Sequence, residues 1–300
     1  MSKKGSIIVD DDVMEEVNSE REELEVKKSV SSEPQDPKPS TQGLPFDVER
    51  PEETEHLNMI IYGDTGVGKT HLAGTAVDFA GTNEPLFIDF EGGTKTLHGK
   101  EIDVTRPKNW KDIQAILDYL VNDNTKYKCV IIDPLTELQK KHSMGYILGE
   151  LDDDRGYTDL ARAEAPTRQD WLRSGEQMWK FIRAFRDLAY LKDKSRRVHV
   201  IMTALERYDE KRSLMCPSLP GALGPSCGAA VDILARLSKE PKEVEDPASG
   251  EIVTVTRRFL LTDDFVDEVG TKFMAKNRGN RLGRGMWEPT IDKILGVWNK

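Results

Sequence analysis

Cysteine is scarce. The 300-residue chain has three, Cys129, Cys216 and Cys227. The count is odd and the spacings match no metal-ligand pattern, so neither a disulfide framework nor a zinc site is expected. Cys129 falls inside an apolar run and reads as a buried free thiol. Long hydrophobic runs are also missing: no stretch approaches the roughly 18 residues of a membrane span. Ser6-Ile7-Ile8-Val9 is too short for a signal-peptide core. The expectation is a soluble protein of a reducing cytoplasm with no membrane partner.

Charge is plentiful, at 32% of residues and a net of −10. It is unevenly spread. Residues 1–56 carry 16 acidic against 7 basic side chains; the rest carry 37 against 36. The acidity therefore belongs to the N-terminus, and the overall charge does not exclude nucleic-acid binding by the remainder. Residues 1–55, with Asp10-Asp11-Asp12, Glu22-Glu23 and a Pro/Ser-rich linker over 31–45, read as a disordered acidic tail. Such a tail is either a solvated leader or an arm that competes with DNA or recruits a partner. Residues 56–300 read as one domain.

The stretch Gly63-Asp64-Thr65-Gly66-Val67-Gly68-Lys69-Thr70 matches G-x-x-x-x-G-K-[ST] in full. A short apolar run, 57–62, precedes it, and a segment with helical apolar spacing, Lys69 to about Ala80, follows. Strand, glycine loop and helix are the arrangement a phosphate cradle needs. The glycines let successive N–H groups converge on one anion, and the helix start adds partial positive charge. Lys69 then serves the β- and γ-phosphates and the Thr70 hydroxyl serves Mg²⁺. The ligands expected are ATP and Mg²⁺.

From Leu57 onward strands and helices alternate, the α/β signature. Leu86–Phe90 reads as a strand, Trp110–Val121 as an amphipathic helix, and 127–133 as a strand ending in Asp133. A hydrophobic strand closed by Asp about 65 residues after a P-loop places Asp133 at the metal. Residues 139–170 read as irregular, 171–191 as helix, 198–204 as a further core strand, and Glu206 to about Ser226 as irregular again. Cys227–Ala235 reads as helix, and 234–240 with 251–261 as two strands about the turn 246–250. A basic cluster closes the chain: Lys272, Lys276, Arg278, Arg281 and Arg284.

Several motifs in this order carry a resemblance: GDTGVGKT (63–70), LFIDFEGG (86–93), VIIDPLTEL (130–138), VIMTALE (200–206), PSLPGALGPSCGAAVDILARL (217–237) and AKNRG (275–279). Over residues 57–285 the chain resembles the RecA-like phage single-strand annealing ATPases, the "Sak four" group. The resemblance implies a RecA-like P-loop NTPase of the α/β class: a mostly parallel sheet, helices on both faces, antiparallel C-terminal edge strands, and the 198–204 strand between those of the two phosphate-site motifs. It implies a Mg²⁺-dependent, DNA-stimulated ATPase that binds single-stranded DNA and promotes annealing or strand exchange. For a phage-encoded protein the place of action would be the bacterial host cytoplasm. Partners implied are single-stranded DNA, further copies in a ring or filament, and a single-strand-binding protein.

Residue by residue, the resemblance makes Glu91 the carboxylate that orients the attacking water, with Asp89 as runner-up. It makes Lys276 and Arg278, two apart and so on one strand face, cations offered to a neighbouring subunit's γ-phosphate. It places the two irregular stretches at DNA-binding loops, the second with Arg207, Lys211 and Arg212 and the first with Arg155, Tyr157, Arg162 and Arg168. Where RecA carries Gln as γ-phosphate sensor this chain has Thr203, which leaves that role unassigned. A helicase or helicase-loader motor uses the same core, and a nucleotide kinase shares the P-loop. No arginine-rich lid supports the kinase, and the first 55 residues supply no helicase domain.

Overall fold

A computed structural model describes residues 56–152, 156–159, 165–245 and 251–299. The acidic tail (1–55), the turn 246–250, Arg155, Arg162 and the side chain of Tyr157 lie outside the described residues.

The strands of the described residues form one large sheet, buried at its centre, and a separate two-stranded pair. In order these are β1 (Asn58–Gly63), β2 (Pro85–Asp89), β3 (Asp103–Thr105), β4 (Cys129–Asp133), β5 (Leu151–Asp152), β6 (Gly156–Tyr157), β7 (His199–Asp209), β8 (Leu214–Pro217), β9 (Ile233–Glu245), β10 (Ile252–Leu261), β11 (Phe265–Val266), β12 (Lys272–Phe273), β13 (Lys276–Asn277) and β14 (Gly285–Trp287). The order across the sheet is β3-β2-β4-β7-β1-β9-β10-β14. The first six run parallel, β10 runs against them, and β14, antiparallel to β10, returns to their direction. As expected, β7 separates β1 from β4. β9, expected among the antiparallel edge strands, instead pairs parallel with β1 and turns the sheet antiparallel only at β10.

Alternation along each strand feeds two cores. Ile60, Tyr62, Ile88, Val130, Ile132, Val200 and Met202 face one side. There they meet α2 (Trp110–Asn122) and α4 (Arg168–Arg186). Met59, Ile61, Phe87, Ile131 and Ile201 face the other. They meet α1 (Lys69–Gly74) and the last helix, α6 (Ile291–Trp298). Asn109 caps α2 by accepting the Asp112 N–H, and Thr167 and Asp170 form a capping box at α4.

Four expectations are corrected. The P-loop helix is α-helical only to Gly74 and continues as a 3₁₀ turn, Thr75–Asp78, where the Thr75 hydroxyl donates to Leu72 O at 2.7 Å. The first irregular stretch begins as helix: Leu135–Glu137, a π-helical Leu138–Ser143 and Met144–Ile147 form α3. Beside Leu135, Leu138 and Met144 it buries polar residues, with Ser143 donating to Gln177 Oε1 at 2.8 Å and Gln139 bonded to Ser174, which interrupts the apolar stripe. Glu206–Ser226 is largely the antiparallel hairpin β7–β8, followed by α5 (Leu223–Ser226). Cys227–Ala235 holds only a 3₁₀ turn, Cys227–Ala230, before β9 begins.

His199 opens β7 and ties it to β1. Its Nδ1 accepts the Leu57 N–H at 2.9 Å, and its ring lies 4.9 Å from that of His56. Burial, then the neighbouring His56, pushes its pKa down to about 3. Burial likewise takes His142 down to about 4. An unfolded histidine accepts its proton near pH 6.5. The folded ones do not, so stability falls as pH drops from about 6.5 toward those values. Denaturation midpoints measured across that window should therefore decline, and less steeply for His199→Asn, whose amide oxygen keeps an acceptor without the titration. Equal slopes for the two proteins would contradict this.

Candidate nucleotide site

The P-loop leaves β1 at its C-terminal end. Gly66 and Gly68 take φ of 72° and 107°, which only glycine adopts without strain. Asp64, Thr65 and Gly66 are exposed, while Val67 anchors the loop in the core. Lys69 is 8% exposed, and its ammonium donates to Gly63 O at 3.1 Å and Asp64 O at 2.9 Å. Burial lowers its pKa against the opposing pull of Asp133 and Glu91.

Asp133 ends β4 and is 1% exposed. The Thr70 hydroxyl donates to its Oδ2 at 2.7 Å, and the Thr203 hydroxyl donates to its Oδ1. Burial raises its pKa, outweighing both hydroxyl donors. A carboxylate so placed is stabilised in its charged form by a cation. The pair of hydroxyl and carboxylate oxygens suits Mg²⁺, which takes few protein ligands and completes its shell with water and phosphate oxygens. Among the described residues no three His, Cys, Asp or Glu side chains form a metal cage of their own. When bound, the metal neutralises charge on the β- and γ-phosphate oxygens.

Glu91 lies two residues beyond β2, exposed and in the turn leading to Gly93. Gly93 lacks a side chain where one would obstruct. A Cβ there would stand 3.2 Å from Asp133 Oδ2, 3.4 Å from Thr70 Oγ1 and 3.5 Å from Glu91 Oε1. The three oxygens thus converge on one small space beside the P-loop. Partial desolvation beside the P-loop and then the Asp133 charge raise the Glu91 pKa, a direction that suits a base.

Asp89 is not a base. Its Oδ1 accepts the N–H groups of Glu91, Gly92 and Gly93 at 3.2, 2.8 and 3.2 Å. Its Oδ2 accepts the Thr94 hydroxyl at 2.7 Å and the Arg106 Nε at 3.2 Å. Burial pushes its pKa up, but these donors outweigh burial and hold it below the usual range. The carboxylate is saturated, and its work is to shape the turn that presents Glu91. Thr203, whose role the sequence left unassigned, lies against Asp133. The available signal was register: β7 sits beside β4 with Ile132 opposite Met202, so the next residues, Asp133 and Thr203, meet.

The remaining predicted residues lie elsewhere. Arg207, Lys211 and Arg212 sit on the β7–β8 hairpin, which runs past the P-loop end of β1. Arg207 donates to Gly221 O at 3.2 Å, Arg212 pairs with Asp209 at 2.7 Å, and Lys211 is exposed in the turn. Arg168 begins α4. Lys276 and Arg278 do not share a strand face: β13 ends at Asn277 and Arg278 opens a 3₁₀ turn. Both lie at the opposite end of the sheet, since β13 pairs with Ile233 and Leu234 beside the start of β1. Lys276 donates to Gly228 O at 2.9 Å and Val231 O at 2.6 Å, and Arg278 pairs with Asp232 at 2.9 Å.

A family profile described as AAA domain (AAA_24) matches residues 55–278. The chain belongs to this family. It is a P-loop domain of the AAA type on a mostly parallel sheet, and nucleotide binding follows from that. A search of curated protein sequences gives no match. Among solved structures, a RadB recombinase is 15% identical with a TM-score of 0.35, over 75% of this chain and 91% of that one. A prototypical type III secretion ATPase is 16% identical with a TM-score of 0.37, over 61% of this chain and 52% of that one. The flagellar accessory protein FlaH of Methanocaldococcus jannaschii is 10% identical with a TM-score of 0.30, over 69% and 78%. This AAA-domain chain spans about half the length of the type III secretion ATPase. No helix among its described residues is long and apolar enough to cross a membrane.

Substitutions separate the roles. Lys69→Ala should weaken ATP binding and abolish turnover, and Asp133→Asn should lose metal-dependent turnover. Glu91→Gln should bind ATP normally and turn over about 10²- to 10⁴-fold more slowly. Steady-state hydrolysis and equilibrium ATP binding on the same preparations check this; unchanged turnover in Glu91→Gln removes its assignment.

Proposed function

We propose that the protein is a Mg²⁺-dependent, DNA-stimulated ATPase that binds single-stranded DNA and promotes strand annealing or exchange, as the phage single-strand annealing group it resembles does. The observation that carries the reading is the convergence of Thr70, Asp133 and Glu91 around Gly93 at the mouth of the P-loop. That grouping suits transfer of the γ-phosphoryl to water: the P-loop and Lys69 bind the phosphates, Asp133 and Thr70 hold the metal, and Glu91 takes the water's proton. The DNA part is supported by placement. The β7–β8 hairpin carries Arg207, Lys211 and Arg212 at the same end of the sheet as the phosphate site, where nucleotide state can alter how phosphates of a strand are met. A single-strand-binding protein is a further partner under this reading.

Self-assembly is part of this reading, and the placement of residues at the two ends of the sheet supports it. Gly63–Thr70 lies at one end of β1 and Arg278 beside the other. Head-to-tail packing, which closes into rings or opens into filaments, would bring Arg278 of one copy to the P-loop of the next. Arg278, 57% exposed in its side chain, is better placed for this than Lys276, whose ammonium is held by two carbonyls.

One experiment tests the reading: ATP hydrolysis with no DNA, with single strands and with duplex, for wild type, Arg278→Ala, Lys69→Ala and an equal mixture of the two variants. Single strands should stimulate the wild type most. Arg278→Ala should bind ATP yet hydrolyse it poorly, and the mixture should recover part of the activity. Identical rates under all three conditions would overturn the DNA reading. Full activity of Arg278→Ala would overturn the trans arginine.

A further inference from the structure

The flank of the P-loop away from Asp133 is also built. β9 runs against its start: a Cβ on Gly63 would lie 2.2 Å from Leu237 O. β10 reaches further. Arg258, opposite Lys239, extends along the loop so that its Nη1 and Cδ stand 3.4 and 3.5 Å from where a Gly68 Cβ would be. Gly68 is the last glycine before Lys69, and its N–H belongs to the phosphate cradle. Lys69, at the start of α1, and Arg258, on β10, therefore border the same loop.

Arg258 is held in place from behind. Its backbone N–H donates to Glu288 Oε1 at 3.0 Å, its carbonyl accepts the Glu288 N–H at 2.8 Å, and its Nη2 pairs with Glu288 Oε2 at 3.3 Å. Glu288 takes a φ of 44°, a left-handed conformation uncommon outside glycine and costly for a glutamate. Three residues on, the Ile291 N–H donates to Thr75 Oγ1 at 2.8 Å, which ties this segment to the turn after the P-loop helix. Nη1 has no hydrogen-bond partner among the described residues, and the side chain is 30% exposed. The charge is felt at the helix start: burial and then Arg258 hold the His71 imidazole below its usual pKa.

Sheet order says which part of a nucleotide this guanidinium meets. Asp133 and the Asp89–Glu91 turn lie on the β4 and β2 side of β1, and Arg258 lies on the β10 side. A triphosphate whose γ-group sat between Asp133 and Glu91 would extend its nucleoside end toward β10. We propose that Arg258, oriented by Glu288, is a nucleotide-binding residue contributed by the same chain, donating to oxygens of the α-phosphate. This rests on the ATPase reading above and adds a contact at the end of the substrate remote from the chemistry. A guanidinium presents its remaining edge to phosphate through charge-assisted hydrogen bonds, which lysine reproduces poorly.

Equilibrium binding of ATP, ADP and inorganic pyrophosphate tests it, on full-length wild type, Arg258→Ala, Arg258→Gln and Lys69→Ala. Thermal unfolding checks that each variant is folded, and Arg258→Gln, which keeps the stem, stands in if the alanine variant is not. Loss of Arg258 should weaken ATP and ADP equally, by about tenfold or more, and leave pyrophosphate affinity unchanged. Lys69→Ala should weaken all three. Loss of ATP affinity alone would assign Arg258 to the γ-phosphate and overturn the proposal, as would unchanged ATP and ADP affinity or an equal loss for pyrophosphate. A wild type that binds no nucleotide would instead refute the ATPase reading itself.

Discussion

The carboxylate of Asp133 is the constraint on which the rest of the site depends. It is almost fully buried at the end of a central strand, and two hydroxyls, one from the P-loop helix and one from β7, hold it. Those bonds require β7 to lie beside β4 and β1 to lie beside β7, with the P-loop helix returning over the strand ends. The sheet order is therefore not separable from the chemistry. An anionic group at 1% exposure is unfavourable unless something compensates it, and hydroxyl donors compensate only in part, as the raised pKa shows. The site is complete when a cation shares that carboxylate.

Around this point the C-terminal ends of the strands gather different tools. β2 supplies Asp89, whose saturated carboxylate shapes the turn bearing Glu91. β7 runs on into the hairpin bearing Arg207, Lys211 and Arg212, and β10, running the other way, brings Arg258 to Gly68 from mid-strand. The N-terminal ends carry structure instead: His199 on Leu57, and Asp232 joined to Asn58, Tyr190 and Arg278. A sheet with chemistry at one end and an exposed arginine at the other is suited to repeating head to tail.

Much of this was legible from residues, for identifiable reasons. The P-loop is a local motif whose function depends on consecutive N–H groups, so its spacing survives in any context. Asp133 was visible because buried apolar strands are short and continuous. The hairpin of 206–217 was not, because its turn uses Ser213 at a φ of 46° in place of glycine. The stretch 227–235 is rich in small residues that read as helix, yet parallel pairing of Ile233–Arg236 with β1 overrides that preference. The π-turn of α3 hid because Gln139 and Ser143 point inward. Asp89 and Thr203 stood out by position in their motifs, but what they touch depends on tertiary contacts, and nothing in the immediate neighbours of Arg258 marks it.

The central claim is that Asp133, fixed by Thr70 and Thr203, anchors the metal of the phosphate site. Thr203 touches neither loop nor nucleotide in this account, so its removal isolates that claim. The magnesium concentration giving half-maximal ATP turnover should be measured for wild type and Thr203→Val, together with ADP affinity in the absence of divalent metal. The account predicts a midpoint raised about tenfold or more in Thr203→Val, with metal-free ADP affinity unchanged. An unaltered midpoint in a folded variant would contradict it.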